Sequence, residues 1–120
     1  MKISRRFTQQ GQDPFASAEY EKRTSRISNP DGSVVFRLED IEVPASWSQV
    51  AVDVLAQKYF RKAGVPKHLI KVEEDGVPLW LRRSVGEPYP INLADHYLGS
   101  ETSAKQVFDR LAGCWTYWGW

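Results

Sequence analysis

Apolar and polar residues alternate along the segment 23–43, which is the pattern of two antiparallel strands. Apolar side chains recur at every second position from Val34 to Leu38, so they share one face of a strand. Residues 29–32 are Asn-Pro-Asp-Gly, a composition typical of a tight turn because proline presets φ and glycine accepts a positive φ. The pattern therefore predicts a β-hairpin over 23–43. If Ser28 lies opposite Ser33, then Ile27 lies opposite Val34 on the apolar face.

The segment 46–64 carries apolar residues at the spacing of an amphipathic helix. We predict that this helix begins at Ser46, because Gln49 three residues later completes a capping box. We predict that it ends at Gly64, which accepts the left-handed backbone of a helix terminus and is soon followed by a proline. The predicted apolar face consists of Trp47, Val50, Ala51, Val54 and Leu55, and the predicted polar face of Gln49, Asp53, Gln57 and Arg61.

The segment 101–120 shows the clearest helical pattern, and Ser103 with Gln106 predicts a capping box at its start. Its apolar stripe continues into the last turn and consists of Ala104, Val107, Phe108, Leu111, Trp115 and Trp118. A large exposed apolar surface marks an association site, so we predict that the tryptophans at the end of this helix, with Trp120, form an interface or cause self-association. A stacking platform for nucleic-acid bases is the alternative.

The rest of the chain is irregular. Residues 1–22 have no clear period and predict an extended arm of basic character. Glycines and prolines divide residues 67–99 into loops, with short strands predicted at 69–72 and 79–81. The chain is too short for two domains, so we predict one domain over 1–120. The predicted fold class is α+β: an N-terminal arm, a β-hairpin and two main amphipathic helices joined by an irregular loop region.

Composition narrows the functional classes. The chain has 120 residues, of which 42% are hydrophobic and 26% charged, and its formal net charge is +1. This composition is globular and lacks the positive charge of a protein that binds nucleic acid through its phosphates. No apolar run is long enough to cross a membrane or to form a secretory signal, so we predict a cytoplasmic protein. The single cysteine, Cys114, fits a reducing compartment and excludes an internal disulfide.

No group of residues has the spacing of a catalytic or metal site. His68 and His96 are 28 residues apart, and a metal site needs three or four converging ligands. Cys114 has no histidine or lysine three or four residues away to activate its thiol, so we predict a small packed side chain. The acidic residues 73–75 are typical of a solvated loop. We therefore predict no catalytic and no metal-binding residue in this chain, which favours a docking or structural role.

Several segments resemble the start of the vitamin B12-dependent, class II ribonucleotide reductases in their long form. The resemblance rests on blocks that follow one another in the order of the family: residues 3–8, 11–15, 29–36, 43–51, 56–66, 101–113 and 115–120. Residues 67–98 match least, although 77–81 and 83–85 are similar.

The resemblance implies an enzyme that reduces ribonucleotides, mainly diphosphates, to 2′-deoxyribonucleotides. Adenosylcobalamin supplies the radical in this family, thioredoxin supplies electrons, and the catalytic part is an α/β barrel. The reaction uses one cysteine as radical carrier and a further pair as reductant, whereas this chain has only Cys114. That cysteine lies before the position expected for the first catalytic cysteine of the family, and the resemblance assigns no cofactor-binding residue here.

We therefore expect the chain to be an N-terminal piece of such a reductase, without the barrel and inactive by itself. Its expected partner is the remainder of the reductase chain. The alternative is a free-standing module that binds a reductase subunit or binds single-stranded nucleic acid through Lys2, Arg5, Arg6 and the tryptophans.

Overall fold

A computed structural model describes residues 4–120 and shows small antiparallel sheets combined with a few helices, which confirms the predicted α+β class. The strands are β1 (Tyr20–Ser28), β2 (Val34–Pro44), β3 (Val65–Pro66), β4 (Leu69–Lys71), β5 (Ser84–Gly86) and β6 (Leu98–Gly99). The helices are α1 (Gln49–Val54), α2 (Ala94–Tyr97) and α3 (Ala104–Gly119). Across the described residues, no helix combines the length and the apolar character needed to cross a membrane.

Strands β1 and β2 form the predicted hairpin, but the predicted register is wrong. Ile27 lies opposite Phe36 rather than Val34. The backbone N–H of Asn29 donates to the carbonyl of Ser33 over 2.7 Å, so the turn closes one residue later than the sequence pattern indicated. A register shift beside the turn moves the pairing by one further residue.

The helix predicted from Ser46 to Gly64 is shorter in the structure. Helix α1 begins after Ser48, whose hydroxyl accepts a backbone N–H over 3.2 Å, so the prediction of Ser46 as N-cap is wrong. A backbone bond between Trp47 and Pro44 keeps the preceding residues in a turn, which delays the start of the helix. The helix then widens into a π-helical turn over Leu55–Tyr59 and ends there, before Gly64.

The predicted faces of α1 are only partly confirmed, since Leu55 is buried and Trp47 packs against the core as predicted, whereas other positions differ. The buried residues of α1 and its π turn are Val52, Leu55 and Ala56. Val50 and Val54, predicted to pack, are 73% and 46% exposed. Asp53, predicted to face solvent, instead accepts a hydrogen bond of 2.7 Å from the fully buried hydroxyl of Ser25 in β1. A buried hydroxyl needs a hydrogen-bond partner, and this requirement turns the polar side of α1 toward the hairpin.

Helix α3 begins with the predicted capping box. The Ser103 hydroxyl accepts the N–H of Lys105 over 3.2 Å, and Gln106 accepts the N–H of Ser103 over 3.0 Å. The same hydroxyl donates to the carboxylate of Glu42 in β2 over 2.6 Å. The cap therefore stabilises the helix terminus and also joins α3 to the hairpin.

The segment between the two main helices is built from two short ribbons. Strand β3 pairs with β6, and β4 pairs with β5, both antiparallel. The strand predicted at 69–72 is confirmed as β4, whereas the strand predicted at 79–81 is wrong. Leu79–Leu81 is a turn of 3-10 helix, because the N–H of Leu81 donates to the carbonyl of Pro78 over 2.9 Å.

The hydrophobic core lies between the hairpin, α1 with its π turn, and the first turns of α3. Its buried members are Ile41, Val43, Val52, Leu55, Ala56, Phe60, Ala104 and Val107. Trp47 and Phe108 extend it with an edge-to-face contact of 5.8 Å between ring centroids. The core therefore covers only the amino-terminal half of α3.

A buried carboxylate joins the end of the π turn to α3. Glu101 is 3% exposed, and its Oε1 accepts the backbone N–H of Arg61 over 2.7 Å. Arg110 on α3 pairs with the same carboxylate at 3.1 Å and donates to the carbonyl of Tyr59 over 2.5 Å. These bonds satisfy both the buried acid and the free backbone groups at the end of the π turn.

The carboxyl-terminal turns of α3 are held by the loop that connects β4 and β5. The Tyr117 hydroxyl donates to Glu74 over 2.5 Å, and Arg83 donates to the other oxygen of Glu74 over 2.7 Å. The indole N–H of Trp120 donates to the carbonyl of Gly76 over 3.0 Å. These bonds fix one side of the helix end, and they hold the pKa of the Glu74 carboxyl below its ordinary value.

The Glu101 junction predicts a large loss of stability when its charge is removed. Glu101→Gln is expected to lower the free energy of unfolding by about 2 kcal/mol, because Arg110 keeps its charge and loses its partner. Urea denaturation followed by circular dichroism measures this change. The matched control is Glu73→Gln, which removes a surface pair with Arg82 and is expected to change the free energy by less than about 0.5 kcal/mol. Equal effects of the two substitutions would contradict the assignment.

The bond between Tyr117 and Glu74 predicts a dependence of stability on pH. The Tyr117 hydroxyl, followed by Arg83, lowers the pKa of Glu74 in the folded state below the ordinary 4.5. The stabilisation from this carboxylate is therefore present above the unfolded pKa and is lost as the pH falls through the folded pKa. Tyr117→Phe is expected to raise the pKa of Glu74 toward 4.5, measured by NMR of the side-chain carboxyl.

The control for this pH experiment is Tyr59→Phe, because the Tyr59 side chain is 52% exposed and its carbonyl contact with Arg110 is unchanged by the substitution. It is expected to leave the pKa of Glu74 where it is. An unchanged pKa of Glu74 in the Tyr117 variant would show that the hydroxyl is not its principal partner.

Candidate interaction surface

Trp115 and Trp118 form an exposed apolar surface on the last turns of α3, which we call the tryptophan face. Their exposed fractions are 66% and 77%. Successive residues of a helix are 100° apart, so both rings continue the stripe that begins with Val107 and Leu111. Val107 is buried in the core, whereas the tryptophans are not. One stripe is therefore covered at its beginning and uncovered at its end, which is typical of an interaction surface.

The opposite side of the same helical turns packs within the chain. Tyr117 is bonded to Glu74, and the Trp120 ring contacts the edge of Trp80 at 6.4 Å between centroids. The sequence pattern treated Trp115, Trp118 and Trp120 as one interface. The structure separates them by contacts rather than by exposure: Trp120 is 66% exposed, as Trp115 is, but its indole is hydrogen-bonded to the loop behind the helix.

The amino-terminal half of α3 is engaged with the arm and the hairpin. The ammonium of Lys105 lies 4.5 Å from the ring centroid of Tyr20 and 5.8 Å from that of Phe15. It also lies 3.6 Å from the Glu42 carboxylate, whose pKa is lowered first by the Ser103 hydroxyl and then by Lys105. This end of the helix is therefore already occupied by contacts within the chain.

Among residues 4–120, the candidate chemical residues are not brought together as a metal site. His68 and His96 are exposed, and residues 4–120 contain no group of three histidine, cysteine or acidic side chains placed to hold a metal ion. Cys114 is a half-buried free thiol. Arg5 donates to Thr8 within the arm, and Lys2 lies outside the described residues.

The acidic segment 73–75 is not a simple solvated loop. Glu73 pairs with Arg82 at 3.3 Å, and the Glu74 side chain is only 11% exposed. Sequence patterns did not indicate the partners of Glu74 and Glu101, because these partners lie on distant elements and no local spacing relates them. Both acids are bonded to partners within the domain, Glu74 to Tyr117 and Glu101 to Arg110.

Two depressions in the described surface do not fit adenosylcobalamin, the cofactor that the family resemblance implies. The larger is an open depression of about 380 Å³ bordered by Lys62, Gly64 and Asp95. The smaller, of about 120 Å³, lies beside Phe36 and Glu101. Pockets for drug-sized ligands enclose roughly 300–1,000 Å³, and a corrin is larger than such ligands. We therefore assign none of these lining residues a role in binding the cofactor.

Comparison with known proteins identifies relatives that are much longer than this chain. A vitamin B12-dependent ribonucleotide reductase of Agrobacterium fabrum is 63% identical over 123 residues, which cover all of this chain and 10% of the relative. The reductase of the same name from Bradyrhizobium diazoefficiens is 60% identical with the same coverage. That of Rhodopirellula baltica is 39% identical over 82% of this chain and 9% of the relative. The chain thus spans about a tenth of the length of these curated relatives.

A sequence profile of the class II vitamin B12-dependent ribonucleotide reductases matches residues 21–120. The matched region of the relatives is their N-terminal part. The match includes both strands of the hairpin, α1, α3 and the tryptophan face. Because the profile covers well over half of the chain and two relatives match it throughout, the chain belongs to the family of class II vitamin B12-dependent ribonucleotide reductases.

Proposed function

We propose that the chain is the N-terminal part of an adenosylcobalamin-dependent ribonucleoside-diphosphate reductase, which makes 2′-deoxyribonucleotides for DNA synthesis. The observation that carries this proposal is the identity of 63% with the Agrobacterium reductase along the whole chain. The catalytic barrel belongs to the larger part of the reductase, which this chain does not cover.

Within that reductase the chain has a structural role. Reduction of a ribonucleotide takes up two electrons, and a dithiol that becomes a disulfide supplies them in this family. Cys114 is the single cysteine and cannot form such a pair within the chain. It lies half-buried on α3, beside the tryptophan face, where a packing role is supported.

We also propose the cofactor, the partners and the compartment of this reductase. Adenosylcobalamin supplies the radical when it is bound to the catalytic part. Ribonucleoside diphosphates and thioredoxin bind that same part, and the enzyme acts in the cytoplasm. The residues of this chain provide the packed hairpin and helices on which the catalytic part rests.

A free-standing module that binds single-stranded nucleic acid is less favoured. The relatives that match this chain along its whole length are reductases about ten times as long. The segment from Leu111 to Trp120 carries no charged side chain, so it offers phosphates no counter-charge.

A chimaera tests the proposed function. In it, this chain replaces the matching tenth of the Agrobacterium reductase. With adenosylcobalamin, a ribonucleoside diphosphate and a dithiol, the chimaera is expected to form deoxynucleotide, measured by chromatography. The 120-residue chain alone is expected to form none, because it has one thiol.

Cys114→Ala in the chimaera is the matched control and is expected to retain turnover. An inactive chimaera would count against the proposed function. Turnover by the chain alone, or loss of turnover in the cysteine variant, would contradict the structural role.

We further propose that the isolated chain self-associates through the tryptophan face. The two rings expose about 350 Å² of apolar area, which is the size of the largest apolar patch on a typical monomer, and such patches often bind a partner. The sedimentation coefficient is expected to rise with concentration and to rise less when Trp115 and Trp118 are changed to serine. Ile91→Ser is the control, because Ile91 is 91% exposed and lies outside α3. A monomer at every concentration would contradict this prediction.

A further inference from the structure

The accessible surface of the chain exceeds that of a self-contained domain. It measures 9439 Å². A monomeric protein of 13.8 kDa is expected to expose about 6,600 Å². The exposed arm before β1 contributes part of this difference. The whole difference is larger than the roughly 800 Å² that each partner gives to a standard interface.

The tryptophan face is the part of this surface best prepared for binding. Trp115 and Trp118 project from a helix whose far side is fixed by the bond of Tyr117 to Glu74 and of Trp120 to Gly76. A partner that meets these rings does not have to order the helix that carries them, so little conformational entropy is lost on contact. Tryptophan is also the residue type most enriched among the anchors of protein interfaces.

The lack of charged side chains on the tryptophan face favours an apolar partner. From Leu111 to Trp120 the chain has no charged side chain. A charged or phosphate-bearing partner would lose hydration on contact and gain no counter-charge. An apolar protein surface gains by covering both rings.

The greater length of the relatives favours one source for this apolar surface, namely the rest of the reductase chain. Two reductases that match the whole chain at 63% and 60% identity are about ten times as long. In them the equivalent domain is covalently joined to the rest of the enzyme, and a tethered surface has an effective concentration on the order of millimolar. A second copy of the chain has no such advantage.

Resting on the proposed function, we infer that the tryptophan face docks on an apolar surface of the remainder of the reductase chain. Trp115 and Trp118 are the contact residues. Tyr117 and Trp120 hold the helix from behind through their bonds to Glu74 and Gly76.

Footprinting of the chimaera tests this inference. A diazirine probe is photolysed with the intact chimaera, and mass spectrometry measures carbene labelling of each residue. Labelling of Trp115 and Trp118 is expected to fall to the level of buried Val107. Labelling of Phe7 and Ile91, which are 94% and 91% exposed in this domain, is expected to persist.

Two results would overturn the inference. One is labelling of both tryptophans as strong as that of Phe7. The other is protection that appears only at concentrations where the chimaera associates, since this assigns the face to a second copy.

The deoxynucleotide assay on the same sample tests the proposed function separately, because an active chimaera with labelled tryptophans refutes the docking alone. An inactive chimaera with protected tryptophans supports the docking and refutes the proposed function.

Substitution provides an independent test. The double variant Trp115→Ala, Trp118→Ala in the chimaera is expected to increase labelling of Leu111, the next residue of the stripe, because the docked surface loosens. Ile91→Ala is the control and is expected to leave the labelling of Leu111 unchanged. Equal labelling of Leu111 in both variants would contradict the inference.

Discussion

The buried carboxylate of Glu101 is the interaction on which the arrangement of the main helices depends. An ionised acid this far from water needs several donors, and they come here from the backbone of Arg61 and from Arg110 on α3. This polar junction and the core between them fix the two helices relative to each other. Since the core between them is small, this junction has more weight than it would have in a larger domain.

Local signals predicted the elements whose stabilisation is itself local. The capping box of Ser103 and Gln106 and the turn at 29–32 involve residues that are neighbours in sequence, so both were readable from the chain. The faces of α1 could not be predicted in full from the sequence. The Ser25 hydroxyl on β1 needs the Asp53 carboxylate as its hydrogen-bond acceptor, and no local pattern indicates this. A helical projection contains no information about a hydroxyl that another element buries.

The same distinction holds at the tryptophan face. The helical repeat predicted that Trp115 and Trp118 lie on one stripe, and the structure shows them there. The different role of Trp120 follows from its bond to the carbonyl of Gly76, a partner that no spacing in the sequence indicates. Composition likewise could not show that Glu74 accepts a hydrogen bond from the Tyr117 hydroxyl, because that partner lies 43 residues away in the sequence.

The segment between the main helices leaves the core and returns to the place where it left. The N–H of Glu101 donates to the carbonyl of Arg61 over 2.9 Å, β3 pairs with β6 inside that bond, and β4 pairs with β5 inside both. Each pairing closes a shorter loop than the pairing outside it. The entropic cost of closing the whole segment is therefore divided into smaller steps. The connection from β5 to α2 lies within the outer closures, and changes in its length leave the ends of the segment in place. The domain can therefore vary in size there during evolution while its hairpin and helices keep their positions.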